Sequence, residues 1–381
     1  MQNPPDPMDS PSESKVIYPS CLFGLEKHEI FPHERFAYSV LKIGIPALNG
    51  VDLPDSLTVR FDADPQWSLN VRISTATNSS GKVGGFTVQT SGLMPTTLFC
   101  LCHTLGRRLF EQDTFADWVR HPEGFRQALI TFGQSLSDSI KAIRKRGLAY
   151  GIQGLVQASE VKMTELQASA HDYDLAVQFL ANHEIAHAHV RQLTQKKRQL
   201  EAADSRGFEI VVDLVAINWL YQKMVKLTPD TPTYRELRGT DNHSESIREN
   251  SHLVLNGQLT VLLYICIANA MANDGVVSLN SSKTHPAYLT RWTLQQVHFA
   301  TLVLSNQQAH FSNEDSEELS SRYQALIGVF IGAGLIAKDS VDAMTKTQAD
   351  DLAAAARLID EFDIGIVKDI KPLLEMYGTK K

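Results

Sequence analysis

Asp174-Leu175-Ala176-Val177-Gln178-Phe179-Leu180-Ala181-Asn182-His183-Glu184-Ile185-Ala186-His187 is the stretch from which the rest of the chain can be read. Leu175, Ala176, Phe179 and Leu180, continued by Val190, recur at helical spacing. On a helix, residues four apart share a face, so His183 and His187 point the same way. Glu184 lies between them, one turn from His187. Two imidazoles on one face can hold one metal ion. The carboxylate beside them is placed to take a proton from water at that ion. The plain alternative is a structural histidine pair. Buried imidazoles need partners, however, and a metal ion is one of the few that satisfies two at once. The stretch therefore predicts a metal-carrying helix over residues 172–195.

Two histidines do not complete a zinc site. Catalytic zinc takes three protein ligands and leaves one position for water. The next helix, expected over 198–226, offers Glu201, Asp204, Glu209 and Asp213. Glu209 and Asp213 are four apart and share a face. Glu209 can bind the metal while Asp213 accepts the outer N–H of a ligand histidine and fixes its tautomer. Val212 and Ala216 are modest in size and allow close helix packing. A turn near Lys196-Lys197-Arg198 brings 187 and 209 to similar heights in a helical hairpin. Glu201 is the competing third ligand, nearer the turn, and its carboxylate partner Asp204 is three residues on. Glu209 is preferred.

Farther along stands Thr284-His285-Pro286-Ala287-Tyr288-Leu289-Thr290-Arg291. The ordered set of H-E-x-x-H, the Glu209/Asp213 segment and T-H-P-x-x-x-x-R resembles the gluzincin metallopeptidases of the HtpX and CAAX-prenyl-protease type. The first motif is similar to that of the soluble Lit-type phage-exclusion peptidases. The resemblance covers about 30 of the 381 residues. It implies His183 and His187 as ligands, Glu184 as base, Glu209 as third ligand and Asp213 as its companion. It implies that His285 and Arg291 lie beside the site, where either could steady an oxyanion. It also implies that residues 86–90 form an edge strand to which an extended substrate could add. The chain departs from the pattern at Val212, where alanine is usual. An Ala-Asp-x-x-Gly sequence occurs instead at Ala203-Asp204-Ser205-Arg206-Gly207.

The bulk numbers set bounds around this reading. Hydrophobic residues make up 43% and charged residues 21%, ordinary for a globular chain. The net charge of −7, from 36 basic and 43 acidic residues, gives no electrostatic footprint for nucleic acid or an anionic membrane. The apolar runs at 259–272 and 325–337 are shorter than the roughly 20 residues a bilayer needs, so no membrane span is expected. Cys21, Cys100, Cys102 and Cys266 form no C-x-x-C pair and read as buried thiols in a reducing compartment. The first residues have neither a basic end nor an apolar core. A cytoplasmic protein is the expectation.

Organisation follows from pattern. Residues 1–15, rich in Pro, Ser and Asp, read as a disordered tail. From about 16 to 92 the signals are those of strands, clearest where 56–61, 69–74 and 85–90 alternate with period two. Residues 78–82 carry turn chemistry. After Pro95 the pattern is helical, with helices expected at 96–110, 124–145, 155–168, 251–273, 287–305, 316–337 and 346–377, the last broken near Gly365. The polar segment 228–250 reads as a lid or a tolerated surface insertion. The expected fold class is thus α+β, mainly α. A β-rich part with an edge strand spans 16–110, and a helical zinc-peptidase core spans 111–381, the two forming one compact unit. The expected function is a zinc-dependent (Zn2+) endopeptidase acting on a protein or peptide substrate. The alternatives are a catalytically idle metal-binding regulatory module in a stress or phage-defence system, and a helical interaction protein with no metal.

Overall fold

The computed structural model describes residues 32–47, 56–62, 71–77, 83–92, 94–103, 112–131, 163–194, 202–222, 261, 286, 288–305, 321, 324–325, 328–334 and 338–378. The expectations placed on the tail 1–15, the turn 78–82, the segment 228–250, Glu201 and His285 lie outside these residues.

The first element departs from the strand pattern read over 16–92. Pro32–Ala47 is a helix, α1. Pro32 opens it, where a missing N–H costs nothing and the fixed φ is already helical. His33, Phe36, Ser39 and Val40 are among its buried residues, a three-to-four-residue spacing that makes one inward face.

Three strands follow: β1 (Ser56–Asp62), β2 (Arg72–Thr77) and β3 (Val83–Ser91). Their order in the sheet is β1-β3-β2. β3 pairs parallel with β1 and antiparallel with β2. Residues 86–90, expected at an edge, are therefore central, and their backbone hydrogen bonds are taken on both sides. The two-residue alternation that identifies a strand is the same for inner and outer strands. The buried Val88 and Thr90, both at 0% exposure, mark the covered position.

Four short helical pieces follow the sheet among the described residues. They are α2 (Met94–Leu101), α3 (Gln112–Arg120), α4 (residues 122–131) and a turn of helix at 328–332. The last three share an aromatic cluster. Phe125 lies between Trp118 at 5.0 Å and Phe330 at 5.4 Å, centroid to centroid.

The centre of the molecule is built by α5 (Met163–Thr194), α6 (Ala202–Leu220), α7 (Tyr288–Ser305) and α8 (Lys338–Glu361). α6 packs against all three others. From Gly207 to Tyr221 every residue is buried. A helix apolar around its whole circumference has no stripe to expose. The sequence Ile210-Val211-Val212, Leu214-Val215-Ala216-Ile217 is such a helix.

α5 joins the sheet side to this centre. Its first half meets α1 and α2, and the helix also touches β2. The Tyr173 hydroxyl donates to the Pro32 carbonyl at 2.8 Å, and Arg35 grips Asp174 through Nε at 3.0 Å and Nη2 at 2.5 Å. Burial pushes the Asp174 carboxyl up, and Arg35 only partly offsets this. His33 Nε2 reaches the Gly92 carbonyl at 2.7 Å, tying α1 to the end of β3. The second half of α5 is left to face α6.

α8 ends in a backbone turn followed by the 3-10 segment Gly365–Ile370 and α9 (Lys371–Gly378). The Ile364 N–H bonds to the Ile359 carbonyl at 3.0 Å and the Asp363 N–H to the Asp360 carbonyl at 3.2 Å. This is a Schellman closure. The residue at positive φ is Asp363, at 51°, and not Gly365. The last helix is thus broken near Gly365 as expected, with Asp363, a residue type that tolerates this region better than most, making the turn. No helix of the described residues is long and apolar enough to cross a membrane.

Candidate metal centre

The second half of α5 and the middle of α6 run as the two arms of a hairpin. His187 faces Glu209 and His183 faces Asp213, so the contacts are symmetric about position 198. His183, His187 and Glu209 are each buried and bring their ligand atoms within 4.8 Å of one another. This group could hold a metal ion.

The distances test that fit. Nε2 of His183 and Nε2 of His187 lie 3.1 Å apart. Glu209 Oε1 is 3.4 Å from His187 Nε2, and Oε2 is 3.7 Å from His183 Nε2. Adjacent ligands of a tetrahedral zinc, at bond lengths near 2.05 Å, are about 3.3 Å apart. Two imidazoles and a carboxylate are also a donor set that catalytic zinc uses. Between the facing nitrogens there is room for one proton at most, so at least one Nε2 presents its lone pair to the other.

The two histidines are oriented by different means. His183 Nδ1 lies 2.9 Å from Asp213 Oδ1. The contact is short but falls outside hydrogen-bond geometry, so it turns that edge of the ring to the Asp213 carboxylate as an ion-pair contact and leaves Nε2 facing the centre. His187 stacks on Phe208, with centroids 5.7 Å apart and planes 28° from parallel. Among the described residues its Nδ1 has no hydrogen-bond partner. Phe208 was not singled out from sequence. Its signal is its place beside Glu209, which puts it opposite residue 188 in a hairpin centred on 198.

Arg291 enters from the first turn of α7. Its Nε donates to Asp213 Oδ2 at 2.6 Å and its Nη2 to Asp213 Oδ1 at 2.8 Å. Nη2 is also 3.9 Å from Glu209 Oε2. These contacts set the charge state. Burial alone raises the Glu209 pKa, but the hydrogen bond from His187 and the charges of His187, Arg291 and His183 outweigh it and bring it down to about 2. Burial likewise works against an ionised Asp213, yet Arg291 and His183 hold that carboxyl well below the usual range. Both carboxylates are therefore anionic, the form that a metal ligand or an N–H acceptor needs.

Glu184 follows His183 on α5 and is half-buried. His298 on α7 is buried against the backbone of α6 near Leu214; burial lowers it to about 4, with the Leu214 carbonyl opposing. The Ala203–Gly207 sequence does different work from the metal trio. Arg206 Nε donates to Asp351 Oδ1 at 2.6 Å, and Arg357 Nη2 reaches Asp204 Oδ1 at 3.4 Å. Gly207 sits between those pairs, where a Cβ would come within 2.7 Å of the Ala355 nitrogen. That sequence docks α6 on α8.

Compared with known proteins, the chain matches no family model, no curated protein and no solved structure.

Proposed function

We propose that the protein is a zinc-dependent endopeptidase of the gluzincin kind, acting on a protein substrate in the cytoplasm. The observation that supports this reading most is the convergence of His183 Nε2, His187 Nε2 and the Glu209 carboxylate at the spacing of a tetrahedral ligand set, with Glu184 the next residue after His183. His183, His187 and Glu209 would hold the ion. Bound there, zinc supplies an electrophile for the scissile carbonyl and acidifies water at neutral pH. Glu184 accepts the proton of the attacking water and later delivers it to the leaving amine. Asp213 keeps the His183 ring turned with Nε2 to the centre. An extended substrate would add to β2, an outer strand of the sheet that touches α5, in place of the central residues 86–90.

The burial of the trio favours a second reading, a catalytically idle metal-binding regulatory module. His183, His187 and Glu209 are all below one-tenth exposed, at 8%, 9% and 8%. One experiment separates the two. Zinc content and hydrolysis of a peptide library are measured for the unmodified chain, Glu184→Gln and the double change His183→Ala/His187→Ala. The peptidase reading expects about one zinc per chain, lost in the double change. In Glu184→Gln the zinc stays and hydrolysis falls by about 10³-fold. Equal hydrolysis by Glu184→Gln overturns the assigned base. Zinc bound with no cleavage by either protein selects the regulatory module. No metal in the unmodified chain overturns both.

A further inference from the structure

Glu209 and Asp213 stand one turn apart on a helix buried on every side. Their side chains are 10% and 2% exposed, and that of Arg291 is 11% exposed. Two ionised carboxylates in such a place cannot stand alone. An uncompensated buried charge costs several kcal/mol, and neighbouring ones repel as well. A divalent ion would supply positive charge, but only while bound. Arg291 supplies it permanently, because a guanidinium does not lose its proton in a protein. It meets Asp213 through two parallel hydrogen bonds, the strongest geometry available to this pair, and stays within 3.9 Å of Glu209. With Nε and Nη2 turned to Asp213, that edge of Arg291 is not directed at a reacting carbonyl.

We infer that Arg291 is the resident counter-ion of the metal-free site. It balances the Asp213 carboxylate and partly offsets that of Glu209, so that α6 packs into the core before any metal arrives. The inference rests on the metal-centre reading for what the carboxylates later receive. It separates this centre from zinc sites that are unfolded without metal. Metal would enter a folded site here, and a chelator would remove it without unfolding the chain. Arg291 is on this account a positioning residue: it acts through Asp213 on the His183 ring.

The test is thermal unfolding of the full chain by circular dichroism, in chelator and with added zinc. Three proteins are compared: unmodified, Arg291→Met, and Arg291→Met/Asp213→Asn. The unmodified chain should unfold cooperatively in chelator. Arg291→Met in chelator should lose more than about 5 °C, since breaking a buried pair leaves its partner's charge behind. Zinc should restore most of that loss and raise the midpoint of Arg291→Met by more than it raises that of the unmodified chain. The double change removes the charge with its cation, and should regain most of the loss without zinc. Arg291→Met unfolding like the unmodified chain in chelator overturns the inference. So does a double variant no more stable than the single one, which would make Arg291 a packing residue. If Arg291→Met gives no folded protein, a folded double variant supports the inference and an unfolded one overturns it. Failure of the metal-centre reading looks different: the unmodified chain would bind no zinc and would not respond to it, while the chelator arm would still report on Arg291.

Discussion

The two sides of α6 solve the same problem by opposite means. Both are buried against a neighbouring helix. Toward α8 the closest approach is made by absence: Gly207 has no side chain, and its backbone lies against Ala354 and Ala355, with the Arg206–Asp351 pair beside it. Toward α5 and α7 it is made by Glu209 and Asp213, two charges inside a core. Small apolar residues need only complementary volume, and many sequences supply it. Buried carboxylates need partners at set distances, since half-satisfied polar groups are worse than none. His183, His187 and Arg291 provide those partners from two other helices. Stability can be obtained the first way alone. A polar side that costs stability unless every partner is present goes beyond what stability alone requires.

The sharpest break in that comparison is Glu209→Ala. It removes one of three converging donors and leaves α8 untouched. The expected outcome is a loss of zinc affinity beyond about 100-fold, more than second-sphere changes cause, with little change in the metal-free unfolding midpoint. Zinc titration with a competing chelator measures the first and circular dichroism the second. Unaltered affinity would remove Glu209 from the ligand set and return Glu201 as third ligand.

His298 tests the same polar side farther along α7. Its unfolded form takes a proton near pH 6.5 and its folded form resists until about 4. Between those values the unfolded chain binds more protons, so stability falls as pH drops through that window and the loss is complete below pH 4. The share due to His298 is about 3 kcal/mol at its limit. Urea midpoints of the metal-free chain at pH 7 and pH 4.5 should therefore differ less in His298→Leu than in the unmodified protein. Parallel pH dependence in the two would show that His298 is not the group held neutral.

Against the α8 side, Gly207→Val is the direct assault. The new methyls meet backbone at Ala354 and Ala355, and the helices must separate. Overpacking of this kind costs about 2 kcal/mol. Because the strain falls away from Glu209, zinc stoichiometry should be unchanged. Loss of metal in Gly207→Val would mean that the two sides are mechanically coupled, and the contrast between them would fail.

How far these features were legible in the amino-acid order depends on what each rests on. The hairpin of α5 and α6 rests on long periodic runs with His183/His187 and Glu209/Asp213 at four-residue spacing, and periodicity over that length reads well. The side-chain convergence of His183, His187, Glu209, Asp213 and Arg291 could be anticipated for the same reason, with Arg291 supplied by motif order. Strand order could not, because β1, β2 and β3 alternate alike, and only pairing partners decide that 86–90 lies in the middle. α1 was hidden in a region of strand signals, since His33, Phe36 and Val40 show their spacing only over a short window. The stack of Phe208 on His187 depends on ring placement across two helices, which no local pattern encodes. The break near Gly365 was legible from that glycine, while the Schellman turn at Asp363 is backbone chemistry available to aspartate but commoner for glycine.

The smallest expected effect comes from the rim of the α8 contact. Asp204 and Arg357 are 3.4 Å apart, but Arg357 is 61% exposed. Water screens that pair, and ordering a long side chain offsets most of the attraction. Arg357→Ala should therefore change the unfolding free energy by less than about 1 kcal/mol. The pair on the other side of Gly207 is a useful control. Arg206 meets an Asp351 side chain that is 1% exposed, so its loss strands a buried charge. If Arg357→Ala proved as damaging as Arg206→Ala, the exposed rim of the α8 side would depend on charge placement as strongly as the buried Asp351 does. The distinction between a side held by volume and a side held by partners would then no longer stand.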